Sequence, residues 1–218
     1  MIGDLCLYHL DGRDYHSLIL YKPDPTDADG IQLVGGLSLD KTLGKCITDK
    51  QGAGTYSVGS IYVEPPLQGK GFSKLLYGLA FHLANKEGLG VTSDQMASTS
   101  WMASERGWKK ILNNPAHSLD DRETAAGNDV FDYDAKTKDP DDDCEKPDSP
   151  APTNKSWFMN DHAKYKPAYE ALVKNHEKHI SKMNSTEQLI FHDNLDDWSA
   201  QGFENAYDIM KRTKSSDK

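Results

Sequence analysis

Residues 56–85 read YSVGSIYVEPPLQGKGFSKLLYGLAFHLAN. Residues 56–63 are rich in β-branched and aromatic types and contain no proline, which predicts a β-strand. The prolines at 65 and 66 end that strand, because proline has no N–H group to give to a ladder. Residues 72–85 carry apolar side chains at helical spacing. The segment therefore predicts a strand, a turn with two glycines and a helix, in that order.

The turn between these elements, Gln68–Ser73, has the properties of a phosphate-binding turn. A strand, a glycine-containing turn and a helix together direct several free backbone N–H groups at an anion. Gly69 and Gly71 let the backbone approach a phosphate closely, and Lys70 adds a positive charge. The spacing fits neither a P-loop nor the G-x-G-x-x-G dinucleotide pattern. The alternative interpretation is a glycine turn without a ligand, in which Lys70 is a solvated loop charge.

The elements that follow the turn give further information about the fold. A short strand is predicted at 88–93, and Asp94 follows it as the N-cap of a helix at 95–106. That helix closes at Gly107-Trp108, a glycine followed by an aromatic residue. The chain then enters a predicted strand at 109–111.

Three residues of the turn, Gln68, Gly71 and Ser73, match the pattern (Arg/Gln)-x-x-Gly-x-(Gly/Ala), with serine as a small-residue departure at the last position. With the order of elements around it, the chain resembles the GNAT superfamily of acyl-CoA N-acyltransferases. It is similar to a divergent member of the kind found in bacteriophages. The resemblance covers residues 17–136, with the best match at 56–111.

The resemblance implies an α/β (α+β) fold, with a mixed, mostly antiparallel central sheet of GNAT type flanked by helices. It also implies acetyl-CoA as the co-substrate. In the family, backbone N–H groups of the turn hold the coenzyme A pyrophosphate, and the strand before the turn pairs through its backbone with the pantetheine arm. Gln68 would close the turn. The implied cofactor-binding residues are Ile61, Val63, Gln68, Gly69, Lys70, Gly71, Phe72 and Ser73.

Acyl transfer to an amine needs a polarised thioester carbonyl, a neutral amine and a proton for the leaving thiolate. In the family the amine attacks directly, and an Asp or Glu removes its proton. The candidates here are Asp94 and Glu64, whose alternative roles are a helix N-cap and a solvated carboxylate. Ala103 stands where many members carry the tyrosine that protonates the thiolate, so Ser104 is the candidate acid. The other candidate donors are Tyr62, Tyr56 and water.

The resemblance thus implies an acetyl-CoA-dependent N-acetyltransferase acting on an amine of a small molecule or protein. Two alternatives are a GNAT-fold enzyme that modifies nucleic-acid bases and a non-catalytic GNAT-fold binding or inhibitor protein, which Ala103 favours. The net charge of −9 argues against nucleic acid as the partner. A local basic groove would change that, and the lysines that could form one are Lys164, Lys166, Lys174 and Lys178.

Composition limits the class of protein. The chain has 218 residues, of which 37% are hydrophobic, enough for one sizeable core and further segments outside it. No apolar run approaches the length of a membrane span, and the N-terminus lacks a basic start, so we expect a cytoplasmic protein without a membrane partner. Three widely spaced cysteines indicate reduced thiols rather than a disulfide framework.

An acidic, proline-rich segment divides the chain. Residues 139–152 carry six acidic side chains and one basic side chain, which indicates a linker. We therefore predict a GNAT-like acyl-CoA-binding domain at 1–138, a linker at 139–155 and a helical C-terminal appendage at 156–218. No metal site is predicted, because the aspartates at 141–143 lack the glycine and glutamate spacing of an EF-hand loop.

The remaining predictions concern secondary structure. Gly35-Gly36 inside a predicted strand indicates a bulge or a close backbone approach. His176 and His179 lack the order of a zinc motif and are expected to be surface or half-buried side chains. The other predicted elements are strands at 4–10, 17–21, 31–39 and 129–134, an irregular segment at 113–127, and helices at 160–183 and 186–212.

Overall fold

The computed structural model describes residues 3–13, 15–27, 30–41, 55–93, 109–115, 117–122 and 156–196. The strands are β1 (Cys6–Asp11), β2 (Tyr15–Pro23), β3 (Ile31–Asp40), β4 (Thr55–Val63), β5 (Gly90–Ser93), β6 (Leu119–Arg122) and β7 (Ser156–Met159). The helices are α1 (Phe72–Lys86), α2 (Lys109–Leu112), α3 (Lys166–Ile180) and α4 (residues 185–196), with 3-10 helices at Pro65–Leu67 and His162–Tyr165.

One mixed sheet joins the described strands in the order β1-β2-β3-β4-β5-β7-β6. β4 and β5 are parallel, and every other neighbouring pair is antiparallel. The predicted α+β class with a mixed, mostly antiparallel sheet is therefore confirmed. The predicted strands at 31–39 and 56–63 and the predicted helix at 72–85 agree with β3, β4 and α1 to within one residue.

Helices cover both faces of the sheet, which explains why β2 is buried along most of its length. α1 packs on one face, called here the α1 face, through side chains that include Leu76, Leu79 and Leu83. α4 packs on the opposite face through Phe191 and Leu195. A strand that is buried on both faces does not alternate between apolar and polar residues. The middle of β2 is accordingly a nearly continuous apolar run.

α3 runs beside β1, the edge strand of the sheet. The Nδ2 atom of Asn175 donates hydrogen bonds to the carbonyl oxygens of Gly3 (3.1 Å) and Leu5 (2.8 Å), backbone groups at the start of this edge. Leu172 contributes to the core on the α1 face, and His176 meets the core on the opposite face. Covering an edge in this way prevents it from pairing with another chain.

Two β-bulges interrupt the ladders around β3. Val34 is the extra residue between β3 and β2, and Gly59 is the extra residue between β4 and β3. Gly35 lies so close to β4 that a Cβ atom on it would be 2.5 Å from the carbonyl oxygen of Tyr62. The close approach predicted at Gly35-Gly36 is present, and the bulge that was its alternative lies one residue earlier, at Val34.

Three predictions of local structure are wrong. Lys109–Leu112 is a short helix rather than the start of a strand. Leu119–Arg122, inside the segment predicted to be irregular, is the strand β6. Ser156–Met159 is the strand β7 between β5 and β6, and not part of a helical appendage. β6 and β7 pair with each other across a long sequence separation, so short-range patterns carry no signal for them.

The C-terminal helices agree with the prediction in outline. The helix predicted at 160–183 appears as the 3-10 helix His162–Tyr165 followed by α3, and α4 begins one residue before the second predicted helix. The helix predicted at 95–106, the strand predicted at 129–134 and the linker predicted at 139–155 lie outside the described residues.

Among the described cysteines, Cys6 is a buried free thiol. The helices in the described ranges are too short or too polar to cross a bilayer.

Candidate functional site

The site begins where the described ladder between β4 and β5 ends. The two strands are paired over four positions, from Thr55↔Gly90 to Val58↔Ser93, and the described part of β5 ends there. β4 continues for five more residues, Gly59–Val63, paired with β3 on its other side. Within the described residues, this last part of β4 has no strand beside it on the β5 side. In the described part of the chain, the N–H and C=O groups on that side have no strand partner, and an extended ligand can supply one.

Glu64–Ser73 turns the chain from the end of β4 into α1. The Nε2 atom of Gln68 donates a hydrogen bond to the carbonyl oxygen of Val63 at 3.1 Å, which ties the far side of the turn to the strand. The short 3-10 helix Pro65–Leu67 lies between them, with Pro65 at its first position. Gln68 thus bridges the end of β4 and the far side of the turn.

Gly69 and Gly71 adopt backbone angles that favour glycine, with φ values of 77° and 91°. Gly71 is the N-cap of α1, no side chain caps the helix, and its first turn contains no acidic residue. The first N–H groups of a helix have no partner inside the helix. Together with the helix dipole, these donors make the start of α1 favourable for an anion.

The side chains around the turn divide into two groups. Phe72 is 9% exposed and packs in the core, and Ile61 and Val63 pack against the same core from β4. Phe72 is therefore available to a ligand through its backbone, whereas the side chains of Ile61 and Val63 remain partly exposed. Gly69, Lys70 and Ser73 are exposed at the turn. The arrangement brings the eight predicted cofactor-binding residues together along one continuous path.

The predicted catalytic residues are not brought together in the described chain. Glu64 is half-buried at the end of β4, and its backbone N–H donates to the carbonyl oxygen of Val34 at 3.0 Å. Burial, followed by the neighbouring Glu64 carboxylate, raises the pKa of the Tyr62 hydroxyl. Asp94 and Ser104 lie outside the described residues, as does Ala103. Their predicted roles stay predictions.

Tyr56, one of the alternative proton donors, points away from the turn. Its hydroxyl donates a hydrogen bond to Oε2 of Glu87 at 2.7 Å, next to the C-terminal end of α1. Burial and this carboxylate raise the pKa of Tyr56. Because the turn is at the other end of α1, Tyr56 is a poor candidate for protonating a thiolate held by the turn.

A cleft of about 290 Å³ opens beside the turn, on the face of the sheet opposite α1. Glu64 and Asp27 contribute carboxylates to it, and α4 forms one wall. The lining contains no basic side chain among the described residues. The lining residues are Asp27, Ile31, Gln32, Leu33, Glu64, Pro66, Leu67, Phe191, Asn194 and Leu195.

Sequence reasoning missed a group of polar side chains on the sheet face opposite α1, near the end of the described ladder between β4 and β5. Asp40 is paired with Ser57, and Ser38 is paired with Ser60, across β3 and β4. The Oγ atoms of Ser38 and Ser60 are 2.9 Å apart. Ser38 and Asp40 stand two residues apart along β3, which was the available signal, although Asp40 is one residue beyond the predicted strand. The bulge at Gly59 that aligns them left no sign in the sequence.

A second polar cluster lies away from the turn, where β1 ends and β2 begins. His9 contacts the hydroxyl of Tyr169 through Nδ1 (2.7 Å) and Nδ1 of His16 through Nε2 (3.0 Å). Burial and the neighbouring His16 lower the pKa of His9 to about 4. No three His, Cys, Asp or Glu side chains in the described ranges are arranged to hold a metal ion.

Two other sequence interpretations concern the C-terminal helices. His176 is 7% exposed, so the expectation of a surface or half-buried side chain is wrong for it, whereas His179 is half-buried.

Lys164 forms an ion pair with Asp161 and Lys166 with Glu170, so part of the positive charge of the suggested basic groove is neutralised. Lys174 and Lys178 are exposed on α3.

No protein-family model matches this chain, and no curated protein matches it. Among solved structures, a chain of "The crystal structure of KacTA-DNA complex" is similar, at 13% sequence identity and a TM-score of 0.36. The match covers 73% of this chain and 76% of that one. A likeness at this TM-score supports no conclusion about fold, activity or partner. The function is therefore argued from the geometry of the site.

Proposed function

We propose that this protein is an acetyl-CoA-dependent N-acetyltransferase of the GNAT type, acting on an amine of a small molecule or a protein. The observation that carries the proposal is the path from Gly59–Val63 to the start of α1. It combines a strand edge without a described partner, a turn with two left-handed glycines and an uncapped helix N-terminus. An extended arm ending in a pyrophosphate is complementary to these three features in that order.

The residues have distinct roles in this proposal. The N–H groups of Gly71, Phe72 and Ser73 bind the pyrophosphate, and Gln68 holds the turn against β4. The pantetheine arm pairs with the backbone of β4, while Ile61 and Val63 pack into the core behind it. Acetyl-CoA supplies the activated acetyl group. An N–H group of β4 polarises the thioester carbonyl, which helps because charge develops on that oxygen during attack.

The first test is isothermal titration with acetyl-CoA and, separately, with coenzyme A. We expect both to bind with micromolar affinity. Gly71→Glu should weaken binding by about a hundredfold or more, since it places a carboxylate against the phosphates at the helix N-terminus. Gly88→Glu is the matched control, because Gly88 also has a left-handed φ (81°), also has open space at its Cβ position, and lies just beyond the other end of α1.

Turnover distinguishes an enzyme from a binding protein. With acetyl-CoA and a panel of amines, an acetyltransferase releases free coenzyme A thiol only when an acceptor is present. Binding without any amine-dependent thiol release would favour the non-catalytic GNAT-fold protein. Equal acetyl-CoA affinity in the wild-type protein and Gly71→Glu would reject the proposed cofactor site.

A further inference from the structure

The cleft of about 290 Å³ beside the turn, called here the Glu64 cleft, is formed by three parts of the chain. β3 contributes Ile31 and Leu33, and α4 contributes the ring of Phe191. The third part is the end of β4 together with the 3-10 helix at 65–67. The volume is close to the lower end of the range for small-molecule sites, so a ligand with a single ring fits.

The lining of the Glu64 cleft combines apolar side chains with negative charge. Glu64 and Asp27 contribute carboxylates, and the described lining contains no Lys, Arg or His. The hydrogen bond to a ligand is assigned here to Glu64 alone. A carboxylate offers about four acceptor positions, so the contact of Glu64 with the Tyr62 hydroxyl leaves others for a ligand. An organic cation with an apolar body is complementary to this lining.

The cleft shares a wall with the glycine turn, through Leu67. The backbone N–H of Leu67 donates to the carbonyl oxygen of Glu64 at 2.8 Å, and its own carbonyl oxygen accepts from the N–H of Lys70 at 3.4 Å. The N–H of Gln68 donates to the carbonyl oxygen of Pro65 at 3.3 Å. The last two distances are long for N–H···O hydrogen bonds. A ligand in the cleft thus contacts the residues that hold the turn, and the turn is held by weak hydrogen bonds.

The cleft lies at the end of β4 that is far from the reacting thioester of the proposed function. An acyl-CoA bound at the turn with its arm along β4 directs its thioester toward Gly59. From Glu64 back to Gly59 is five residues, or about 16 Å along an extended strand. A ligand in the cleft is therefore close to the pyrophosphate, and too far from the thioester to be the acceptor of the acetyl group.

We propose that the Glu64 cleft is a regulatory site for a small organic ammonium ion with an apolar body, and that its occupancy strengthens coenzyme A binding at the turn. The coupling rests on the proposed function, whereas the binding of the cation does not. Two effects give the coupling its sign. The ammonium offsets the negative charge of Glu64 next to the anionic pyrophosphate. Packing against Leu67 also orders the turn, so coenzyme A loses less conformational entropy when it binds.

Ligand-observed NMR titration of the full chain, without coenzyme, tests the cleft directly. The probe is 2-phenylethylamine, and 2-phenylethanol is its neutral counterpart of similar shape. We expect saturable binding of the amine with a dissociation constant of about 1 mM or lower. The alcohol should bind at least about threefold more weakly, because it carries no charge for Glu64 to bind.

Two variants with matched controls locate the binding. Asn194 lines the cleft from an exposed position on α4, so Asn194→Trp should fill the cleft and weaken amine binding by about tenfold or more. Its control is Ile190→Trp, which adds the same ring at an exposed position of α4 outside the lining. Glu64→Gln should weaken amine binding by about threefold to tenfold. Its control is Glu177→Gln, the same change at an exposed position of α3.

Isothermal titration with coenzyme A, with and without saturating 2-phenylethylamine, measures the coupling. Coenzyme A replaces acetyl-CoA so that no acetyl transfer consumes the probe. We expect coenzyme A to bind about threefold to tenfold more tightly when the amine is present, and the amine to gain the same factor from coenzyme A. The gain should shrink in about 1 M sodium chloride, which screens its electrostatic part. Asn194→Trp should abolish the gain.

The outcomes separate this inference from the proposed function. Failure of the wild-type protein to bind coenzyme A would reject the proposed function and with it the coupling, and the amine titration of the protein alone would still test the cleft. The cleft is rejected if 2-phenylethylamine does not bind, if 2-phenylethanol binds equally well, or if Asn194→Trp binds the amine as the wild type does. Amine binding that leaves coenzyme A affinity unchanged would reject the regulatory role. Where Glu64→Gln fails to fold, Asn194→Trp decides the result.

Discussion

Gly78 shows at the scale of one residue how the C-terminal segment is fitted to the sheet domain. It lies in the middle of α1 and is buried. A Cβ atom on it would be 2.1 Å from Cε1 and 2.3 Å from Cζ of Tyr165. The hydroxyl of Tyr165 is 3.0 Å from Nε2 of His117, which holds the ring in place. Glycine at this position therefore makes room for an aromatic ring from the segment before α3.

Gly78→Ala should destabilise the protein by about 1–3 kcal/mol, because the added methyl group overpacks the contact with Tyr165. In an isolated helix the same change would stabilise by about 1 kcal/mol, since alanine is the better helix former. The free energy of unfolding in urea measures the effect. The control is Gly78→Ala in a Tyr165→Ala background, where the change should become stabilising. Stabilisation in the wild-type background would show that the close contact does not exist.

α3 and α4 are held to the opposite face of the sheet by a cluster of aromatic rings and histidines. The hydroxyl of Tyr21 is 2.8 Å from Nδ1 of His176, and the ring of His192 stacks on Tyr8. His179 also packs against Tyr21. Burial, followed by the neighbouring His192 and His179, lowers the pKa of His176 to about 4. The packing of these elements therefore requires His176 to be neutral.

The stability of the protein should fall as the pH is lowered from about 6.5 to 4. The pKa of His176 is about 4 in the folded chain, against 6.5 as its ordinary value, so the unfolded chain binds more protons in this window. Its contribution is complete above pH 6.5 and is lost on acidification, at up to about 1.4 kcal/mol per pH unit. His9 acts in the same direction, with a folded pKa of about 4.

Urea midpoints measured from pH 4 to 8 test this dependence. His176→Phe keeps an aromatic ring and removes the titrating group, so it should flatten the pH dependence, even though the lost contact with Tyr21 lowers stability at neutral pH. An unchanged slope in His176→Phe would mean that His176 is already protonated in the folded chain or does not contribute. The His9 network lies at another site and should keep its own contribution in that variant.

At the scale of the whole molecule, the segment that begins at Ser156 supplies a strand inside the sheet. β7 lies between β5 and β6, and the backbone N–H of Met159 donates to Oδ1 of Asn85 at 2.8 Å. The Nδ2 atom of Asn85 donates to the carbonyl oxygen of Leu89 at 2.6 Å. Asn85 is 3% exposed. One buried amide thus connects the end of α1, the approach to β5 and the inserted strand β7.

Removal of residues 156–218 should abolish cooperative unfolding. The shortened chain loses β7, the cover of the β1 edge and the helix that packs over Ile19 and Tyr21. Urea unfolding followed by circular dichroism measures the loss. Asn85→Ala in the full chain is a milder change at the same contact. It should lower the free energy of unfolding by about 1–3 kcal/mol, because it leaves the Met159 N–H without its partner. A shortened chain that unfolds cooperatively and binds acetyl-CoA normally would restore the interpretation of 156–218 as an appendage.

Local sequence specifies the path from β4 through the glycine turn to α1. Proline, left-handed glycine and helical spacing of apolar residues act within a few positions, so their effect can be read directly. Only the tertiary structure decides what depends on distant pairing. That includes β7 between β5 and β6, the burial of His176, the ring of Tyr165 against Gly78, and the bulge that brings Asp40 over Gly59. The physical reason is that strand register and partner are chosen by packing between segments far apart in the chain, which short-range periodicity does not record.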